Sequence, residues 1–141
     1  MSAGWEPFEV EPDVGVGVVG WGTTRAEAFA QATLGVLALL VNPDEVQARE
    51  PREFLAQAGG SDSLLVAWVD ECLYVHEIEG FVTRSVAMTM CTDTLAHGVL
   101  HGEPFDPGRH RVGTMVKGAA SRQASVVDRD GRHEARIIVD V

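Results

Sequence analysis

Two cysteines, one lysine and no long apolar run say more about this 141-residue chain than anything it holds in abundance. Cys72 and Cys91 have no CxxC spacing, which points to neither a disulfide framework nor a zinc knuckle. Both read as small buried hydrophobes. No apolar stretch is long enough to span a bilayer, and MSAGWEPFEV lacks the basic-then-apolar order of a secretory leader. The expectation is a cytoplasmic protein with no membrane partner. No repeat, low-complexity tract or linker interrupts the sequence, so residues 1–141 are read as one domain of a size that buries its own core.

Chemical signatures are equally sparse. GVGVVGWG contains a GxG, yet no helix opens where a dinucleotide fingerprint requires one. Its glycines suit close backbone packing or a bulge. No serine or cysteine stands in a nucleophile elbow. The histidines at 76, 97, 101, 110 and 133 include no HExxH. His97 and His101 fall in a strand-like stretch on one face, where they read as a metal-binding pair or, more commonly, as two satisfied surface side chains.

What is present is acid. The net charge is -10, and it is uneven: residues 1–96 carry 4 arginines against 15 acids, residues 97–141 carry 7 basic residues against 6 acids. Such a body repels a phosphate backbone, so no direct, tight nucleic-acid binding is expected. It suits a basic protein partner or a cation.

Periodicity supplies the elements. FEVEPDVGVGVVGWG reads as a strand, a break at Pro12 and a second strand from Asp13 to Trp21. Thr24-Arg25-Ala26-Glu27 is a capping box, and Phe29, Ala32, Val36, Leu37 and Leu40 recur at helical spacing until Asn42-Pro43. EVQAREPREFLA is an edge strand at best. Ser61 is a candidate N-cap for a second helix through Trp68 and Leu73, ending near His76. From Phe81 the period is two, with Val82, Val86, Met88 and Met90 on one face and TLAHGVLHG as partner strand. GTMVKGAAS, QASVVDR and HEARIIVDV close the chain, and Asp130-Gly131 marks a hairpin between the last two. The sum is an α+β fold, two helices packed with antiparallel or mixed sheets, with strands at both ends.

Two acids stand at strand ends. Pro12 aims Asp13 at the start of one strand, and Asp140 closes another, on the face opposite Ala135, Ile137 and Val139. If these strands pair, Asp13, Asp140 and the Val141 carboxylate form a cluster of hard oxygens suited to Ca²⁺ or Mg²⁺. The alternative is a solvated, frayed end.

Six stretches follow one another in a telling order: Glu9-Val10-Glu11-Pro12-Asp13-Val14-Gly15, GTTRAEAFAQATLGVLALLVNPDEV (22–46), SLLVAWVDECLYVHEIEGF (63–81), GEPFDPGRH (102–110), MVKGAAS (115–121) and IIVDV (137–141). Together they resemble the archease family over nearly the whole chain, as a divergent member. The resemblance implies an accessory protein for an RtcB-type RNA ligase in tRNA splicing and RNA repair. It would promote guanylylation of the ligase histidine and repeated turnover, and do no chemistry of its own. It implies a metal site at Asp13 and Asp140, with a Val141 oxygen added, and partner or activation roles for Lys117, Asp106 and His110. The family's opening histidine is Val10 here, and the Tyr-His that follows its lysine is Ser121-Arg122. Two other readings use the same residues: a small metal-dependent hydrolase, and a chaperone-like protein-binding module.

Overall fold

Thr24 takes up an extended conformation and its side chain accepts the Glu27 N–H, which starts α1 (Arg25–Leu40) as the capping box predicts. The reciprocal bond differs from the usual box: the Glu27 carboxylate accepts the N–H of Thr23, one residue further back. This computed structural model describes residues 2–11, 15–119 and 123–141. Asn42 then caps a short 3-10 turn, Pro43–Glu45, through the Asp44 N–H. The second helix, α2 (Ser61–Glu79), starts and stops on glycines: Gly60 is its N-cap, and Gly80 closes it at φ 65°. Ser61 therefore lies inside the helix, and α2 outruns the expected end at His76 by three residues.

The strands form two sheets. One holds β1 (Gly4–Phe8), β2 (Val16–Gly22) and β8 (Arg132–Asp140) in that order, with β6 (Gly118–Ala119) and β7 (Ser125–Arg129) both on the far edge of β8. The other is β3 (Glu50–Gln57), β5 (Leu95–Pro104), β4 (Phe81–Cys91), so the Pro51-containing strand is an edge strand, as its sequence requires. All pairings are antiparallel. The β7–β8 hairpin turns through Asp130 (φ 56°) and Gly131 (φ 74°), the two positive-φ positions that Asp-Gly predicts.

α1 lies against β2 and β8 and reaches β4 of the other sheet, which puts the core between the two sheets. Trp68, Phe29, Leu64, Leu65, Leu100, Ile137 and Val139 are all buried there. Trp68 stacks on Phe54 at 4.8 Å, and its Nε1–H donates to Thr33 Oγ1 at 3.0 Å. α1 presses so close to β2 that a Cβ on Gly20 would stand 2.2 Å from the Ala32 nitrogen.

Two expectations about strands fail where another element intervenes. Bulges between Thr83 and Ser85 and between Met88 and Met90 shift the faces of β4. Val82 pairs with Glu103 and joins a separate cluster with Val41 and Val46, while Val86 and Met88 pair with Leu100 and Gly98, and Met90 with His97. Strict alternation would have put all four on one face. Within GTMVKGAAS, residues 113–117 are irregular and, among the described residues, only Gly118–Ala119 pairs, because the backbone N–H groups of Gly113 and Thr114 donate to the α1 carbonyls of Leu40 and Leu39.

Candidate functional site

The expected pairing of an early strand with the last one is present. Val16 faces Val139 and Gly17 faces Ile138, so the start of β2 lies beside the end of β8. The approach is tight: at Gly15 (φ +137°) a Cβ would meet Val139 O at 2.1 Å. Asp13 lies outside the described residues. Asp140 is exposed at the end of β8, and Val141 is 46% exposed just beyond it, no longer on the buried face that Val139 occupies.

Lys117 is held at the same place by backbone. Its N–H donates to Asp140 O at 2.8 Å, and the next residue, Gly118, pairs with Asp140 in the β6–β8 ladder. The chain's only lysine is thus fixed beside the strand-end aspartate, with its side chain exposed. A third group arrives from α2. Asp70 Oδ1 accepts the Ala119 N–H at 3.0 Å, which leaves Oδ2 for another ligand. Partial loss of water raises the Asp70 carboxyl above its ordinary range; the Ala119 bond opposes this, and the charge on Asp140 adds to it. A part-buried carboxylate that feels the charge of a second one makes a place that welcomes a cation.

Asp106 and His110 are used differently. In the turn after β5, Asp106 Oδ1 accepts the Gly108 N–H, and its carbonyl accepts the N–H groups of Arg109 and His110. His110 is buried. Its Nδ1 accepts the Asp106 N–H at 2.9 Å and its Nε2–H donates to Glu103 Oε2 at 2.9 Å, which sets a neutral imidazole. Glu103 is buried and also accepts from both Arg109 terminal nitrogens (3.1 and 2.7 Å) and from the Gln47 N–H (2.9 Å). Arg109 foremost, against the cost of burial, lowers the Glu103 carboxyl to about 2. This knot anchors the loop that runs on to Lys117.

The remaining candidates are dispersed. Four residues of strand separate His97 from His101, roughly 13 Å, so they do not share an ion. His97 instead stands 3.4 Å from Glu53. Burial pushes the Cys91 thiol up to about 11 and also raises that of Cys72 well above its ordinary value, so neither is a thiolate near neutral pH. Among the described residues, no three His, Cys, Asp or Glu side chains gather as a metal would need. No helix among them is long and apolar enough to cross a membrane.

Sequence reasoning missed Asp70 and Glu103. Asp70 sits on a helix, and the short strand it bonds to has no periodicity, so nothing in the sequence joins them. Glu103 had a signal: an acid in a buried strand, followed across a turn by Arg109-His110.

Comparison with known proteins adds kinship. The family model of the Archease protein family matches residues 5–141. The protein archease of Methanopyrus kandleri is 30% identical over 140 residues, covering 97% of this chain and 99% of that one. That of Pyrococcus furiosus is 29% identical over 97% and 98%. The solution structure of Methanobacterium thermoautotrophicum protein 1598 superposes with a TM-score of 0.79 at 26% identity, covering 98% of this chain and 99% of that one. The crystal structure of a Thermotoga maritima archease, described as a possible chaperone, shares the fold with a TM-score of 0.63 at 10% identity, over 95% and 96%.

Proposed function

The chain belongs to the archease family, and from that we propose that it is an accessory protein for an RtcB-type RNA ligase in tRNA splicing and RNA repair. In this reading it promotes guanylylation of the ligase histidine and repeated turnover, and does no chemistry of its own. The observation that carries the reading is the bond from the Lys117 N–H to Asp140 O, 2.8 Å long. It holds the backbone of the lysine beside that of the strand-end aspartate, with Asp70 bonded to Ala119 alongside. Charges of both signs on one edge suit contact with a phosphoryl-bearing site on another protein.

A divalent ion belongs to this reading. Asp140 and Asp70 Oδ2 offer hard oxygen donors suited to Ca²⁺ or Mg²⁺, and Asp13 and a Val141 oxygen complete the proposed set. Bound there, the ion supplies positive charge toward phosphate or carboxylate oxygens of the partner. Asp106 and His110 serve activation indirectly, by fixing the loop that presents Lys117. The net charge of -10 favours a basic protein over RNA itself.

The test mixes the protein with its cognate RNA ligase and GTP and follows covalent GMP transfer. Wild type stimulates transfer; Asp140→Ala and Lys117→Ala lose at least tenfold while circular dichroism shows an unchanged fold. Folded variants that stimulate fully would remove the site, and a wild type without effect would remove the function.

A further inference from the structure

Next to Lys117 the loop does not lie flat on the protein. A groove of about 510 Å³ opens between the C-terminal ends of α1 and α2 and residues 112–117. Leu40, Val41, Leu73 and Phe105 line it. Val112 and Met115 line it too, yet are 79% and 77% exposed, because the Gly113 and Thr114 N–H groups pin the loop to the end of α1. A half-open apolar groove with methionine on its lip is a surface that adapts to another apolar chain.

Charge narrows the occupant. The helix that supplies one wall, α2, carries Asp62, Asp70, Glu71, Glu77 and Glu79 along its length and no lysine or arginine, and its groove-facing side shows Leu73, His76 and Glu77. Of these, Glu79 is paired with Arg52, while Glu77 lines the groove itself. The helix ends at Gly80, so its negative dipole end faces the same opening. Lys117 also lines the groove, next to the Asp140 backbone that its N–H bonds. From Leu73 to Gly80 the wall runs about 10 Å, some two turns of helix. A polynucleotide would meet an acidic wall here.

We propose that this groove docks an amphipathic helix of the protein partner, two to three turns long, with apolar residues at i, i+3 and i+4 over Leu73 and Met115 and lysine or arginine side chains turned toward α2. The inference rests on the reading that the partner is a protein, and it names where and how that partner is held.

The probe is a fluorescein-labelled 14-residue leucine–lysine amphipathic helix, followed by polarisation and by ¹⁵N amide shifts of the full chain. Two peptides serve as controls: the same composition in scrambled order, and a leucine–glutamate version. The amphipathic basic peptide is expected to shift amides at 73–80 and 112–117 and to bind at least tenfold tighter than either control. Val112→Ser/Met115→Ser should weaken it tenfold, and Glu77→Gln about threefold with a shallower salt dependence. Shifts elsewhere, equal binding of a control peptide, or no binding at all overturns the groove. The cognate RNA ligase separates the two readings. A wild type that fails to bind the ligase counts against the function, whereas a ligase that binds the Val112→Ser/Met115→Ser variant as tightly as wild type counts against the groove.

Discussion

His110 donates its Nε2–H to Glu103 Oε2 at 2.9 Å while its Nδ1 accepts the Asp106 N–H, so the imidazole gives Glu103 a hydrogen bond but no charge. The buried carboxylate is answered by Arg109, at 2.7 Å, with Arg49 at 3.6 Å. A charge so placed makes the fold sensitive to acid. Glu103 titrates near 2 in the folded chain against 4.5 ordinarily, so its contribution is fully present above 4.5 and is lost as the pH falls toward 2. Urea midpoints should therefore drop through that window, and Glu103→Gln should flatten the drop while lowering stability at pH 7. Identical acid profiles would contradict this.

Arg109→Ala tests the same knot from the other side. It leaves Glu103 buried without its main cation, and the urea midpoint should fall. Combining it with Glu103→Gln should recover part of the loss, because the orphaned charge is then gone. A strictly additive double variant would show that the pair is not coupled.

Asp70 has the opposite sign. Its folded carboxyl titrates above the ordinary 3.8, so its stabilising share is present at low pH and disappears as the pH rises through the folded value. At pH 7 the ionised side chain works against folding, and Asp70→Asn, which keeps an oxygen for the Ala119 N–H, should raise the thermal midpoint by about 1–3 °C. Ca²⁺ or Mg²⁺ should stabilise the wild type by about 2.7 kcal/mol at a hundredfold excess over the dissociation constant, and so raise its midpoint. Asp140→Ala should lose that response; a full response in the variant would remove Asp140 as a ligand.

RNA offers a negative expectation. The isolated protein should bind a single-stranded 20-mer only weakly at physiological salt, since an acidic body releases few counterions on contact. Submicromolar filter binding would contradict it.

Packing has its own probe. Gly20→Ala places a methyl group 2.2 Å from the Ala32 nitrogen, backbone against backbone, where no side chain can give way. A loss of about 1–3 kcal/mol or more is expected by chemical denaturation. Gly59→Ala, which meets nothing within 4 Å, is the control.

Much of this was legible in the residues. The α1 cap, the Asp-Gly hairpin, the edge position of the proline strand and the core face of Ala135, Ile137 and Val139 all follow from local chemistry, and the structure reproduces each. So does the pairing that sets the start of β2 beside the end of β8. Local rules failed where a distant partner intervened. The β4 bulges answer to β5, and the 113–117 stretch spends its backbone donors on α1 and β8.

The sequence by itself determined both helices and most of the strands, and that residues 1–96 hold the excess of acid, because backbone preference, periodicity and charge are properties of neighbours along the chain. Only the tertiary structure decided that Asp70 joins Asp140, that His110 is spent on Glu103, and that Met115 stands over an open groove. Those outcomes turn on which carbonyl or carboxylate lies within about 3 Å of a given N–H, and no spacing in the sequence encodes that distance.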